Sequence, residues 1–194
     1  MTEAEVIREL RDAGALLEGH FILSSGLRSP KYMQCARAMM DADRGGRLAG
    51  ALASKVRAAL DGGVDLVVAP AMGGVVIGYE MGRQLSVPAI FFERVDGRFV
   101  LRRGFEIAPG TRTLIVEDVV TTGLSSRECI EAAVTEGADV VAEACLVDRS
   151  GGGVDVGVPL VALVSLDIPS YTEDQLPTDL RSVPAIKPGS RGLG

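Results

Sequence analysis

Apolar side chains recur near the start of the chain at Val6, Ile7, Leu10, Ala13 and Leu17, a spacing that predicts an amphipathic helix over 3–17. The following stretch, GHFILSSGLRSPKYMQCA, loses that period. Ser, Gly and Pro there separate two short strand-like runs, 21–23 and 32–35. Helical spacing returns over 41–60, and from residue 65 a repeated rhythm begins. Strand DLVVA, loop PAMGG and a helix over 75–85 lead to strand AIFF. Strand TLIVE, a polar loop and a helix over about 125–136 then lead to strands VVAEACLV and LVALVSL. These strands are continuous apolar runs, so both of their faces are expected to be buried. Such strands alternating with helices predict an α/β fold, a mostly parallel sheet flanked by helices in one domain across 1–194. The tail 177–194, rich in Pro, Gly and Ser, reads as loop.

Composition narrows the class. With 194 residues, 47% hydrophobic and 24% charged, the chain has the balance of a soluble globular protein with a proper core. A net charge of −6 supplies no cation excess to displace counterions from a phosphate backbone, which argues against nucleic acid as a partner. No apolar run is long enough to span a bilayer, and MTEAEVIREL is acidic and helical, unlike a secretory signal; no membrane partner and a cytoplasmic location are expected. Cys35, Cys129 and Cys145 lack metal-ligand spacing and are too odd in number for a closed disulfide set, in keeping with a reducing compartment. There are 17 arginines, three lysines and one histidine, His20, so candidates for a general acid or base are few.

The most informative stretch is LIVEDVVTTGLSS, 114–126. An apolar strand runs into two adjacent carboxylates, Glu117 and Asp118, then Val119, Val120, Thr121, Thr122, Gly123 and Leu124. Ser125 and Glu128 form an S-x-x-E pattern that reads as a capping box opening the next helix. In open α/β sheets ligands gather beyond the carboxyl ends of strands. The loop 121–125 would present N–H groups and hydroxyls at the positive end of a helix, which suits a phosphate. The two acids repel phosphate but accept hydrogen bonds from alcohols, so a ribose 5-phosphate satisfies both halves. A second strand-to-helix junction, Ala71, Met72, Gly73 and Gly74, is also anion-friendly, because its glycines let backbone approach a ligand closely. Neither G-x-x-x-x-G-K-[ST] nor G-x-G-x-x-G occurs. Segment 93–104, ERVDGRFVLRRG, carries Arg94, Arg98, Arg102 and Arg103, and its Asp96-Gly97 pair predicts a hairpin.

The order apolar strand, two acids, two apolar residues, Thr-x-Gly resembles the phosphoribosyl-pyrophosphate motif of the type I phosphoribosyltransferases. SSGLRSPKY narrows the resemblance: Phe21, Leu23, Ser25, Gly26, Ser29 and Tyr32 match the N-terminal hood pattern of the orotate phosphoribosyltransferases. So does LVDRSGG, whose Arg149 matches the residue pairing with the orotate carboxylate, and an arginine fork suits a planar carboxylate. KPGSRG near the C-terminus extends the match over nearly the whole chain. Two positions depart from the pattern: the common hood lysine is Ser24 here, and the usual lysine of the second loop is Gly73.

The resemblance implies a type I phosphoribosyltransferase fold with a small hood built from 1–40 and the tail 177–194. It implies transfer of ribose 5-phosphate from phosphoribosyl pyrophosphate to orotate, giving orotidine 5-monophosphate and pyrophosphate. Glu117 and Asp118 would hold the ribose 2- and 3-hydroxyls and favour positive charge on the sugar. Residues 121–125 would hold the 5-phosphate, with Val119 and Val120 of the same motif counted among the substrate-binding residues, Ala71 to Gly74 the pyrophosphate, and Ser25, Gly26, Tyr32 and Arg149 the base. Arg94 transfers cleanly from the family's mobile catalytic loop. Arg98, Arg102 and Arg103 have no direct counterpart and are the arginines available to assist the leaving group. Mg²⁺ with few or no direct protein ligands, and a homodimer whose loop covers the neighbour's site, are implied as well. Asp118 is expected to be solvated in the empty site, and His20 to be a structural or hood residue. A purine or uracil phosphoribosyltransferase would share the 117–125 motif without the hood or Arg149. A non-catalytic sensor of phosphoribosyl pyrophosphate would need a nucleic-acid or partner surface.

Overall fold

The computed structural model describes residues 1–23 and 25–188, so Ser24 and the end of the KPGSRG segment lie outside the described residues. Thr2 and Glu5 form a reciprocal capping box at the head of α1 (Glu3–Asp12), where Thr2 Oγ1 accepts from the Glu5 N–H and the Glu5 carboxylate accepts from the Thr2 N–H. The helix stops short of residue 17. Gly14 takes φ 62°, its N–H turns back to the Arg11 carbonyl, and the Ala15 N–H bonds the Leu10 carbonyl. Leu17 therefore belongs to β1 (Leu16–Ile22), which pairs antiparallel with β2 (Arg28–Met33). The short α2 (Ala36–Met39) precedes α3 (Ala42–Ala59), which Asp41 caps through the Arg44 N–H.

The rhythm read from residue 65 onward is present as β3 (Leu66–Pro70), α4 (Gly73–Leu85), β4 (Ala89–Val95), β5 (Arg98–Leu101), β6 (Arg112–Val120), α5 (Leu124–Thr135), β7 (Asp139–Asp148) and β8 (Leu160–Ser165). Asp96 and Gly97 both take positive φ, the requirement of a tight hairpin turn, and β5 folds back antiparallel on β4. The tail is not all loop: α6 (Thr178–Arg181) is followed by β9 (Ala185–Ile186), which pairs parallel with β1. That pairing is long-range and leaves little trace in so short a stretch of sequence. Strands β2, β1 and β9 make a small separate sheet, while the main sheet runs β5-β4-β3-β6-β7-β8.

Alternation along the strands sends side chains to two apolar layers. Val67, Leu114 and Val116 pack with Leu48, Leu52, Ile77 and Met81 of α3 and α4, whereas Val68, Phe92 and Ile115 pack with Cys129 and Ala133 of α5. Helix α4 lies close on the sheet because Gly74, Gly78 and Gly82 face it at a spacing of four. A Cβ would fall 2.8 Å from the Val116 carbonyl at Gly74, 2.7 Å from Ala69 Cβ at Gly78 and 2.8 Å from Ala89 Cβ at Gly82. From β3 the chain steps to β4 on one side and later returns to β6 on the other. The strand order thus reverses between β3 and β6, where a crevice opens at the carboxyl ends.

Candidate active site

Strand β6 runs three residues past the acids' own start, so Glu117 pairs with Cys145, and Val119 and Val120 pair with Val147 and Asp148 of β7. The two acids are therefore ladder residues, and the period of two sends them to opposite faces. Glu117 follows Ile115 toward α5 and is buried, with Ser125 Oγ donating to its carboxylate at 3.4 Å. Asp118 follows Leu114 and Val116 toward α4, where a Cβ on Gly73 would lie 3.0 Å from Asp118 Oδ1. This packing explains a glycine in the second loop: a side chain there would displace the carboxylate. Asp118 also accepts from the Val119 N–H at 2.8 Å.

Burial pushes the Glu117 carboxyl up to about 8, with the neighbouring Asp118 and Glu143 adding to the shift. Burial also raises Asp118, against the pull of the Val119 N–H. The expectation of a solvated Asp118 is thus corrected. It is half-buried, because the strand continues beyond it and α4 begins against it.

The capping-box reading of Ser125 and Glu128 is also corrected. Helix α5 starts at Leu124, its N-cap is Gly123 at φ 70°, and no side chain caps it. Ser125 is engaged by Glu117, and Glu128 by Arg94 at 2.5 Å. The helix N-terminus is left without a side-chain cap behind the exposed Thr121 and Thr122, the arrangement a phosphate can complete. A Cβ on Gly123 would strike Arg127 and Val154, each at 2.8 Å. Arg127 was not singled out from the sequence, yet its guanidinium donates to the Thr122 carbonyl at 3.1 Å and the Asp155 carbonyl at 2.7 Å, fastening the loop from behind. The S-x-x-E context had absorbed it. A cleft of about 250 Å³ opens here, lined by Arg94, Glu117, Glu128 and the whole of Val119 to Ser126.

The remaining candidates fall into three groups. Ala71 and Met72 form the turn between β3 and α4, with a cis peptide between them, and Gly73 and Gly74 begin the helix. At the end of β7, Asp148 accepts from the N–H and Oγ of Ser150 and from the Gly152 N–H, each at 2.7 Å, which fixes the DRSGG turn. The Arg149 N–H donates to the Val120 carbonyl at 2.8 Å, tying this turn to the β6 end. Arg149 Nε is buried with no hydrogen-bond partner among the described residues. Burial holds its guanidinium below the usual range, and Tyr32 is near enough to act in the opposite direction. Tyr32 packs on Phe21 in the small sheet with ring centroids 5.8 Å apart; Ser25 and Gly26 lie in the β1–β2 turn, exposed. His20 is buried in the same sheet, and its Nδ1 donates to the Val183 carbonyl at 2.9 Å.

The hairpin arm stands apart. Arg94 lines the cleft, stacks over Phe99 at 4.1 Å and clamps Glu128. Arg102 and Arg103 turn to Glu93, at 3.4 and 2.7 Å, and Arg98 is exposed at the tip. The fold of a single chain does not bring these three to the cleft.

Residues 39–157 match the phosphoribosyl transferase domain family. The chain is 59% identical over 193 residues to an orotate phosphoribosyltransferase of Maricaulis maris, with both chains fully covered. It is 58% identical over 194 residues to that of Sphingopyxis alaskensis, covering 100% of this chain and 99% of that one. The chain belongs to the orotate phosphoribosyltransferase family. Among solved structures, orotate phosphoribosyltransferase from Aeropyrum pernix aligns with a TM-score of 0.66 at 28% identity, covering 82% of this chain and 93% of that one. The type I phosphoribosyltransferase fold expected from the motif is therefore the fold observed.

Proposed function

We propose that this chain joins orotate to the ribose 5-phosphate of phosphoribosyl pyrophosphate, yielding orotidine 5-monophosphate and pyrophosphate in pyrimidine biosynthesis. The observation that carries the reading is the β6–α5 junction: two carboxylates and two threonines stand before a helix N-terminus that no side chain caps. The 5-phosphate takes the N–H groups of 121–125, and the ribose hydroxyls donate to Glu117 and Asp118. Orotate is favoured over other bases by Arg149, a half-buried arginine near Tyr32 whose buried Nε has no partner among the described residues. A carboxylate supplies the missing acceptor together with a negative charge that matches the guanidinium, whereas a neutral base offers an acceptor without the charge.

The bond between the anomeric carbon and the pyrophosphate oxygen breaks through a cation-like transition state; the electron pair leaves with pyrophosphate, and a base nitrogen takes its place. Burial pushes the Glu117 carboxyl up to about 8 in the open cleft, and hydrogen bonds donated by the ribose hydroxyls, with the positive charge growing on the sugar, favour its ionised form. Charged carboxylates below the ring then stabilise the growing positive charge. The turn Ala71 to Gly74 receives the pyrophosphate on backbone groups, since Gly73 leaves room there only for backbone beside Asp118. Mg²⁺ keeps waters and leans on phosphate oxygens, so such a side-chain-free cradle fits an ion carried by the pyrophosphate. When bound, it neutralises charge on the departing group.

We read the small sheet as the hood and the assembly as a homodimer in the cytoplasm. Met72, Val76 and Tyr79 form an exposed apolar stripe along α4, with Met72 82% and Tyr79 70% exposed, a surface suited to a second copy. The arm arginines, spent on Glu93 within one chain, would then close over the neighbour's pyrophosphate. A base panel with phosphoribosyl pyrophosphate and Mg²⁺ tests the reaction. Loss of orotate alone is expected; turnover of adenine, guanine or uracil in its place would overturn the assignment.

A further inference from the structure

Strand β7 buries one acid that the proposed reaction does not use. Glu143 has no exposed surface, and neither of its carboxylate oxygens has a hydrogen-bond partner among the described residues. In the ladder it lies opposite Ile115 of β6 and Leu160 of β8. Cys145, two residues along, lies opposite Glu117. Glu143 and Glu117 are therefore diagonal neighbours on one face of the sheet, near enough for a charge on Glu143 to act on the Glu117 carboxyl. The first turns of α5 roof them both. The groups facing Glu143 are Glu117 from β6, Ser126 and Cys129 from α5, and Cys145 on its own strand, while β8 contributes apolar side chains. No cation forms an ion pair with it among the described residues.

A carboxylate in such a place resists charge, because only the Ser126 hydroxyl approaches it in place of the water it has lost, without a well-formed hydrogen bond. We propose that Glu143 is a positioning residue behind the ribose site, which joins burial and the adjacent Asp118 in holding back charge on Glu117. The inference rests on the reading of Glu117 as a ribose-binding carboxylate. Burial raises the Glu143 carboxyl to about 7, with Ser126 opposing the shift. The two glutamates titrate as a pair, and a charge on Glu143 holds the proton on Glu117. The pair releases its protons in separate steps, and substrate binding draws on the second.

Two variants test this: Glu143→Gln, which keeps the shape, and Glu143→Met, which fills the slot without a polar group. Thermal melting establishes that each is folded, and kcat/KM for phosphoribosyl pyrophosphate is followed from about pH 5.5 to about pH 9 with saturating orotate. With the repelling charge gone, the acid limb should move to lower pH by roughly half a unit, leaving about threefold more of the plateau activity at its foot. A purely structural Glu143 would lower the plateau and leave the limb where it was. Carboxyl-carbon NMR on glutamate-labelled protein reads the same ionisation without turnover, and the Glu117 midpoint should fall in both variants. Superimposable limbs and an unmoved Glu117 midpoint in the folded variants overturn the proposal, even if orotate turnover stands. Failure of the wild-type protein to use orotate, with a shifted midpoint, would overturn the reaction and leave the coupling in place.

Discussion

From Val119 to Ser126 the chain is fastened on every side. Arg127 holds the Thr122 carbonyl, Ser125 meets Glu117, the Arg149 N–H takes the Val120 carbonyl, and Gly123 fits where no Cβ could. The arm from Glu93 to Gly104 is built the other way. Its Arg102 and Arg103 are more than half exposed, and among the described residues their ion pairs are with Glu93, contacts worth about 0–1 kcal/mol each at such positions. One region is organised before any ligand arrives; the other holds its charges in weak pairs that a pyrophosphate can replace. The contrast fits the chemistry, since the ribose must be gripped in one geometry while a cover must open to release product.

The sharpest way to break the comparison is Asp118→Asn. If the preorganised carboxylates stabilise the ribosyl cation, turnover falls by roughly tenfold to a thousandfold at little change in fold. Because Asp118 is half-buried with its carboxyl pushed up, the melting temperature should hold or rise slightly. Full activity in this variant would reduce the acids to strand-end residues. Next in size, Arg149→Ala should raise the KM for orotate by about 10- to 100-fold, the worth of charge-assisted hydrogen bonds, with far less effect on phosphoribosyl pyrophosphate. Equal effects on both substrates would move Arg149 out of the base site.

The arm is tested by mixing. Combine protein carrying Arg98→Ala, Arg102→Ala and Arg103→Ala with protein carrying Asp118→Asn. If the arm serves the neighbouring subunit, half of randomly formed dimers are mixed and each has one intact site, so activity returns to about a quarter of wild type. No recovery after verified subunit exchange would keep the arm in its own chain. The smallest effect belongs to pH. Glu117 and Glu143 are raised from 4.5 to about 8 and about 7, so between those values the folded chain binds more protons than the unfolded one. The stability they provide is complete below about 4.5 and is lost as pH rises through about 7 to about 8. Scanning calorimetry of the ligand-free protein should show the melting temperature falling by a few degrees across that rise; a flat or increasing trend would contradict it.

Much of this architecture is local and therefore legible. Helix α3, the strand–helix rhythm after residue 65 and the Asp96-Gly97 hairpin all follow from periodicity and turn chemistry. Where the local signal failed, a distant partner had intervened. The S-x-x-E pattern names a capping box, but Glu117, 8 residues back on β6, takes the serine, and Arg94, 34 residues back on β4, takes the glutamate. Strand β9 exists only because β1 offers it an edge.

The sequence by itself determined the chemistry available at the site: two acids, two threonines and a glycine before a helix, with an arginine directly after the next strand. Only the tertiary structure decided how those groups are charged. Adjacent in sequence, Glu117 and Asp118 point to opposite faces, one against Ser125 and the other against Gly73. Glu143, an ordinary acid in an apolar run, becomes electrostatically important because the sheet register sets it diagonally behind Glu117 under α5. Charge in a protein interior depends on the water excluded and the neighbours met, and both are fixed by contacts between strands that the order of residues does not display.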